Sequence, residues 1–377
     1  MMRWAMGKFR NIGCVLLSLS LFLLIATLLL CSPETGLAQG SVVTGSVYSA
    51  NTGLPIPDVN VFLSSTNLGS ATDGEGNYRI RNIPNGVYQL VFSYIGYTTR
   101  VRELNLITTD TLTIDINLKP EPVQLGELSV TGERDREWEN NLNIFRREFI
   151  GATSNAEKTE IRNPEILAFE WNASGTVLSA DADKELQIVN RALGYEINVV
   201  LTKFEYIARD QSRGLEDVVD YLIYPRFREL AASDPSRENQ WAENRRETYL
   251  GSFRHFLFSL YHDRLQEEKF TLLTGSIERL DSSTEDYLLR YRPMNREYRR
   301  SLKGYRLRNV STRNPLTIEF KKSQKSYLMK SDDNVFFVNE YGKLLDVRSL
   351  IIGGAWHRRR LAEELPLNYV LQEERAE

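Results

Sequence analysis

Residues 41–120 alternate short apolar-rich runs with clusters of turn formers, and no other stretch restricts the fold as tightly. The runs are Val42–Val47, Val59–Leu63, Tyr78–Ile80, Val87–Val91 and Leu112–Leu118. In the last, Leu112, Ile114, Ile116 and Leu118 keep period two, which predicts one face in a core and one in water. Between the runs lie Asn51-Thr52-Gly53, Asp73-Gly74-Glu75-Gly76-Asn77 and Pro84-Asn85-Gly86. These residues supply positive φ or a preset turn dihedral. Strands this short, at about 8–12-residue spacing, build a sandwich or a barrel. Gly76 and Gly86 are expected at tight reversals, and Asp73 is expected to accept from the amides of its own turn. Tyr78 and Tyr88 are expected to bury their rings and keep each hydroxyl near a polar partner.

The order of words in this stretch resembles the carboxypeptidase regulatory-like domain, a transthyretin-like β-sandwich. The matching words are Gly45-Ser46-Val47, Thr52-Gly53-Leu54-Pro55-Ile56, Val59-Asn60-Val61, Thr72 to Tyr78, Gly86 to Leu90 and Gly96-Tyr97. The resemblance implies a non-catalytic module of about seven strands. It is similar to modules attached to peptidases, to outer-membrane receptors and to envelope proteins of the Bacteroidota type. Asp73, Glu75 and Asn77 also sit at i, i+2 and i+4, as in a calcium loop. Tyr78 then stands where that loop needs glycine and Pro84 where it needs glutamate, so an ordinary hairpin turn is expected.

Residues 1–39 read as a secretory signal. Arg3, Lys8 and Arg10 precede the uncharged run Val15–Leu30, and Ser32, Pro33, Glu34 and Gly36 break it ahead of Leu37-Ala38-Gln39. That is the basic, apolar, small-and-polar order of an export signal, with cleavage expected near Gln39. The 16-residue run is short of the ~20 residues that cross a bilayer core. A retained anchor and a lipoprotein at Cys31 are the competing readings. Cleavage removes three basic and one acidic residue and takes the net charge from −3 to −5. It also removes Cys14 and Cys31, which leaves no thiol chemistry and no disulfide.

Lys119-Pro120-Glu121-Pro122 ends the sandwich, since neither proline donates to a ladder. The following Val123–Gly132 resembles the segment that joins such a domain to the plug of TonB-dependent receptors, and also their energy-coupling box. Only 245 residues follow Gly132, without a long series of alternating strands. A plug and barrel are therefore not expected, and a truncated relative of receptor N-terminal regions is kept as an alternative.

Residues 136–370 read as an α+β domain behind a linker at 121–135. Arg136–Ile150 is expected as a helix, with Trp138, Leu142, Phe145 and Phe149 on one packing stripe. Ile166–Trp171, Leu186–Val189, Tyr195–Ile207 and Val218–Phe227 are expected to be extended. The prominent helical segment is Pro235–Glu268, capped by Asp234. Its stripe runs Trp241, Tyr249, Phe253, Phe256, Leu257, Leu260 and Tyr261, and Gly251 is a candidate division. Strand-like runs follow at Phe270–Leu273, Tyr287–Tyr291, Tyr305–Val310, Leu316–Phe320, Val335–Val338 and Leu344–Ile352. Leu250–Leu260 and Arg360–Tyr369 resemble the region found behind the regulatory-like domain in exported Bacteroidota proteins of unknown function.

This half matches no catalytic template. His255 and His262 are seven apart and His357 stands alone, and none begins the His-x-x-Glu of a zinc carboxypeptidase. There is no Gly-x-Ser-x-Gly elbow, and Gly175, Gly194 and Gly304 are isolated rather than grouped to cradle a phosphate. Asp181/Asp183 and Glu267/Glu268 are expected as surface pairs. Arg245-Arg246, Arg299-Arg300 and Arg358-Arg359-Arg360 are expected as solvated faces with local ion pairs. Forty-seven basic against 50 acidic residues leaves no basic footprint for nucleic acid.

The reading is a mainly β chain with a β-sandwich at 41–120 and an α+β domain at 136–370. It is expected to be exported to the periplasm, outer membrane or cell surface, non-catalytic, and to bind or scaffold an envelope protein or glycan, with association at the outer membrane. No catalytic, cofactor-binding or metal residue is assigned, and a hydrolase with an unrecognised site is the alternative.

Overall fold

The computed structural model describes residues 40–106, 111–121, 132–209, 217–279, 308–330, 335–338, 342, 344, 350–369 and 371. Residues 1–39, read as a signal, residues 122–131 of the expected linker 121–135, Tyr287–Tyr291 and Arg299-Arg300 lie outside the described residues, and residues 132–135 of that linker instead open a helix.

The sandwich forms as the turn pattern requires. One sheet holds β1 (Ser41–Ser49), β4 (Asn77–Ile83), β7 (Thr111–Thr113) and β8 (Ile116–Leu118). The other holds β2 (Asn60–Leu63), β3 (Gly69–Ala71), β5 (Gly86–Ser93) and β6 (Arg100–Leu106). β1 pairs antiparallel with β4 and parallel with β7 and β8. Its residues alternate buried and half-buried along its whole length. Val43, Val47, Val61, Leu63, Tyr78, Leu90, Phe92 and Ile116 fill the space between the sheets. At about 25 cal/mol per Å² of apolar surface removed from water, this layer is the main source of the sandwich's stability.

The run Leu112–Leu118 departs from the expected single strand. It breaks between β7 and β8, Leu112 is 37% exposed, and Ile116 and Leu118 alone are buried. The cause lies in β1, where Gly45 lets the Ile114 carbonyl come so close that a Cβ there would sit 1.9 Å from it. The Asp115 carboxylate accepts from Ser46 N–H at 2.9 Å and the Ile114 carbonyl from the Tyr78 hydroxyl at 2.8 Å. The polar groups freed by the break are thus satisfied. Gly76 has the positive φ its turn needs, 78°. Gly86 instead starts β5 against the Tyr88 ring.

The second region contains two sheets. The first runs β10 (Leu167–Trp171), β11 (Val177–Ala182), β13 (Tyr195–Ile207), β12 (Leu186–Asn190) and β9 (Thr159–Ile161), with β14 (Val218–Glu229) paired along β13. Helix α1 (Gly132–Phe145) widens into a π-helical turn at Arg146–Ile150. It lays Phe145 and Phe149 on Phe204 of β13 with ring centroids 4.7 and 6.2 Å apart. Trp138 packs on Phe169 and donates to the Leu167 carbonyl. The aromatic stripe is core, as its spacing predicts.

The second sheet runs β15 (Phe270–Arg279), β16 (Arg308–Phe320), β17 (Gln324–Lys330) and β19 (Leu350–Gly354), with β18 (Val335–Val338) paired to β16. The long helical segment divides at Gly251, φ 71°, into α2 (Pro235–Tyr249) and α3 (Phe253–Tyr261). The proposed single stripe is divided with it. Phe256, Leu257, Leu260 and Tyr261 enter the core of the second sheet. Trp241 covers Gly194 and donates to the Arg191 carbonyl at the β12–β13 turn.

Residues Gly40–Glu377 make one compact unit. β14 contains Pro225, which has no N–H, and the loop after β2 covers that edge. Ser65 N–H donates to Pro225 O at 2.6 Å and Phe227 N–H to Thr66 O at 2.8 Å. Phe62 and Val91 of the sandwich pack with Val200 and Tyr224 in a small apolar seam. The tail crosses the same join, with Leu367 N–H donating to Ser65 O and Asn190 to Ala362 O.

Candidate functional site

The turn-forming Asp73 acts as its sequence predicts. Its Oδ1 accepts from Glu75 N–H at 3.0 Å and Asn77 N–H at 2.8 Å. The Asn77 amide foremost holds its carboxyl below the usual range. Among the described residues no three His, Cys, Asp or Glu side chains gather as a metal set.

The three histidines separate. His255 is fully buried. Its Nδ1 accepts from Gly251 N–H at 3.0 Å, and its Nε2 lies 3.3 Å from Glu268. Burial holds the ring neutral against the pull of Glu268, so its pKa falls. His262 is exposed and stacks beside Phe258. His357 lies in the tail, where its Nε2 is 3.3 Å from the Arg360 guanidinium.

The arginine runs have divided roles. Arg245 donates to Leu193 O at 2.7 Å and lies over the Tyr195 ring at 4.1 Å, while Arg246 pairs with Glu243. In the tail, Arg359 donates to Thr248 O and Leu250 O, carbonyls at the end of α2. Its pKa is lowered, first by burial. Arg360 turns the other way, to Glu148 Oε2 at 3.6 Å. Glu148 Oε1 is also held by Arg147 Nε at 2.7 Å. Arg358 is exposed and, among the described residues, makes no hydrogen bond or ion pair. The expected solvated face with ion pairs is therefore split: Arg358 is solvated without an ion pair, Arg360 is paired but little exposed, and Arg359 is an internal clamp.

These residues line an open groove of about 700 Å³ between the π-helical turn, the ends of β17 and β19, and the tail. Tyr327 forms part of its wall and lies against Gly353, its partner across the strand pair. Asp217 stands in the wall too, accepting from the Tyr206 hydroxyl at 2.7 Å and Arg209 N–H at 2.9 Å. Beside it Glu363 accepts from Thr153 and Asn155. The next residue, Glu364, is partly buried, and desolvation raises its carboxyl pKa to about 7. The groove offers guanidinium donors, carboxylate acceptors and one aromatic face. The sequence signal for it is the Arg358-Arg359-Arg360 run, whereas the partner residues 147, 148, 217 and 327 carry none.

Comparison with known proteins places residues 43–130 in the CarboxypepD_reg-like domain family. TonB-dependent receptor P39 of Formosa agariphila is 34% identical over 121 residues, covering 32% of this chain and 10% of the receptor. The TonB-dependent transporter Oar of Myxococcus xanthus is 35% identical over 96 residues, covering 24% of this chain and 9% of that protein. The chain thus spans about a tenth of the length of these curated relatives. GBS52, the minor pilin of Streptococcus agalactiae, is 16% identical with a TM-score of 0.20. That alignment covers 25% of this chain and 49% of the pilin, and so slight an overlap carries no argument.

Proposed function

We propose, from a sandwich that belongs to the CarboxypepD_reg-like family, that this chain is an exported, non-catalytic envelope protein that binds or scaffolds a protein or glycan. In this reading residues 1–39 direct export and are removed. The sandwich at 41–120 and the α+β domain at 136–370 are two domains joined by 121–135. The protein works in the periplasm, at the outer membrane or on the cell surface, and the similarity of part of the chain to TonB-dependent receptors favours that compartment. The observation that carries the proposal is the join between the sandwich and β14. The sandwich covers a strand edge with backbone hydrogen bonds and is clasped by the tail. A module fixed in this way holds its surfaces at a set orientation, which suits a scaffold better than a tethered lure.

In-cell cross-linking with mass spectrometry tests the reading. The expected result is a mature N-terminus near Gly40 and cross-links to envelope proteins or envelope glycan. Cross-links confined to cytoplasmic proteins, with residues 1–39 retained, would overturn it. Turnover of an envelope polymer by the purified protein would favour the hydrolase instead.

A further inference from the structure

We infer that the groove between the π-helical turn, β17, β19 and the tail binds a glycan bearing carboxylates, a polymer of the uronic-acid type. The inference rests on the envelope-binding reading above and specifies the class of its ligand.

The groove already shows how it treats a carboxylate. Glu148, with only 15% of its side chain exposed, sits between Arg147 and Arg360. Two guanidiniums converge on one carboxyl group, each through a single nitrogen, and guanidinium–carboxylate contacts of this kind are charge-assisted. Arg358, two residues before Arg360, carries the same chemistry and has no carboxylate partner among the described residues. Arg147 is 52% exposed on the same wall and also lies over the Tyr206 ring. A ligand carboxylate at Arg358 would complete the alternation of charge along the wall.

The rest of the wall distinguishes a sugar from other anions. Glu363 accepts two internal hydrogen bonds, while a carboxylate has about four acceptor positions. It therefore retains capacity for a hydroxyl donor. Tyr327 adds a half-buried aromatic face for the C–H side of a sugar ring. A uronate chain presents carboxylates, hydroxyls and apolar ring faces in turn, and each meets its counterpart here. A peptide of acidic side chains brings carboxylates without hydroxyls or sugar ring faces, and so leaves the Glu363 acceptors and the Tyr327 face unmatched. A flat anionic membrane does not reach Arg360, whose side chain is 12% exposed on the groove wall.

The test titrates the full chain with trigalacturonate, neutral galactotriose, hexaglutamate and phosphatidylglycerol vesicles, by calorimetry. Saturable binding of trigalacturonate alone is expected, weakening as salt is raised. Loss of one charge-assisted contact in Arg358→Ala should weaken it about tenfold, with Tm unchanged because the side chain is exposed. Arg358→Lys should restore part of the affinity. The inference is overturned if trigalacturonate fails to bind, if Arg358→Ala binds it as well as the parent, if galactotriose binds equally, or if hexaglutamate or vesicles bind in preference. Retention of envelope cross-links without trigalacturonate binding would remove this inference and leave the envelope role standing. Trigalacturonate binding by a protein confined to the cytoplasm would do the reverse.

Discussion

In the sandwich, a turn is closed by the residues that form it. Asp73 binds the amides of Glu75 and Asn77, and Tyr88 donates to Pro84 O four residues back. In the second region, the helices and tail are held by side chains that reach far along the chain. Trp356 donates to Gly251 O across 105 residues, and Arg254 donates to Pro366 O across 112. Local closure survives the loss of a neighbour, whereas a distant clamp links two elements that otherwise share little. The second region should therefore transmit a local defect further than the sandwich does.

The largest test compares the two cores. Phe92→Ala in the sandwich and Phe204→Ala in the second region each remove a fully buried ring, at a cost of about 3–5 kcal/mol. With the loop after β2 bonded to β14, calorimetry should give one transition that both variants lower. Two transitions, each sensitive to one variant, would show that the seam of Phe62, Val91, Val200 and Tyr224 does not couple them.

Glycines sharpen the comparison at the next scale. Gly53 in the sandwich has φ 68° with open space around it, and Gly194 has φ 71° with Trp241 2.3 Å from where a Cβ would stand. Gly53→Ala should cost about 1 kcal/mol, the backbone term alone. Gly194→Ala adds a clash with an anchored indole and should cost about 2–4 kcal/mol. Equal losses in chemical denaturation would mean that α2 shifts freely, contrary to its clamps by Trp241, Asn244 and Arg245 on the β12–β13 turn.

The same contrast governs what the sequence made legible. Turn words such as Asp73 to Asn77 act within a few residues, so the sandwich could be read from them. The misjudged strand Leu112–Leu118 depends on Gly45, about seventy residues earlier, and no local pattern reports that contact. The Gly251 division and the Asp234 and Ser252 caps were local, and of these the Ser252 cap alone was missed. The separate fates of Arg358, Arg359 and Arg360 follow from Glu148 and Thr248, which the chain brings in from more than a hundred residues away. Adjacent identical residues carry no signal that would separate them. β11 and β17, inside their sheets, and β9, at an edge, carry no such signal either, because strands like these are stabilised by their neighbours rather than by their own composition.

Proton linkage gives a smaller and more specific test. Glu364 has its folded pKa raised from the ordinary 4.5 to about 7, so between these values the native state holds more protons than the unfolded one. Stability from this group is full below pH 4.5 and is lost as pH rises through 7. Allowing for the part of the side chain that water reaches, the loss is about 2 kcal/mol. His255 acts in the opposite sense. Its folded pKa is lowered, so stability is lost as pH falls below the imidazole range. Glu364→Gln should raise Tm at pH 8 and change it little at pH 4.5. An equal effect at both would show that the carboxyl does not titrate in the fold.

The smallest effect is expected at two exposed aspartates that do the same work in the two regions. Asp73 accepts from amides inside its turn, and Asp234 accepts from Arg237 N–H at 3.0 Å to cap α2. Both carboxyls are held below the usual range, Asp73 chiefly by the Asn77 amide and Asp234 chiefly by the Ser233 hydroxyl. Their contribution is therefore present above the ordinary carboxylate pKa and is lost as pH falls through the lowered one. Asp73→Ala should lower Tm slightly and leave the rest of the sandwich protected in hydrogen exchange, because the turn is also closed by Asp73 N–H to Asn77 O. Asp234→Ala should give a similar small shift in Tm, but with faster exchange along the first turns of α2. Exchange that spreads equally around both substitutions would remove the distinction between a turn closed within itself and a helix held from outside.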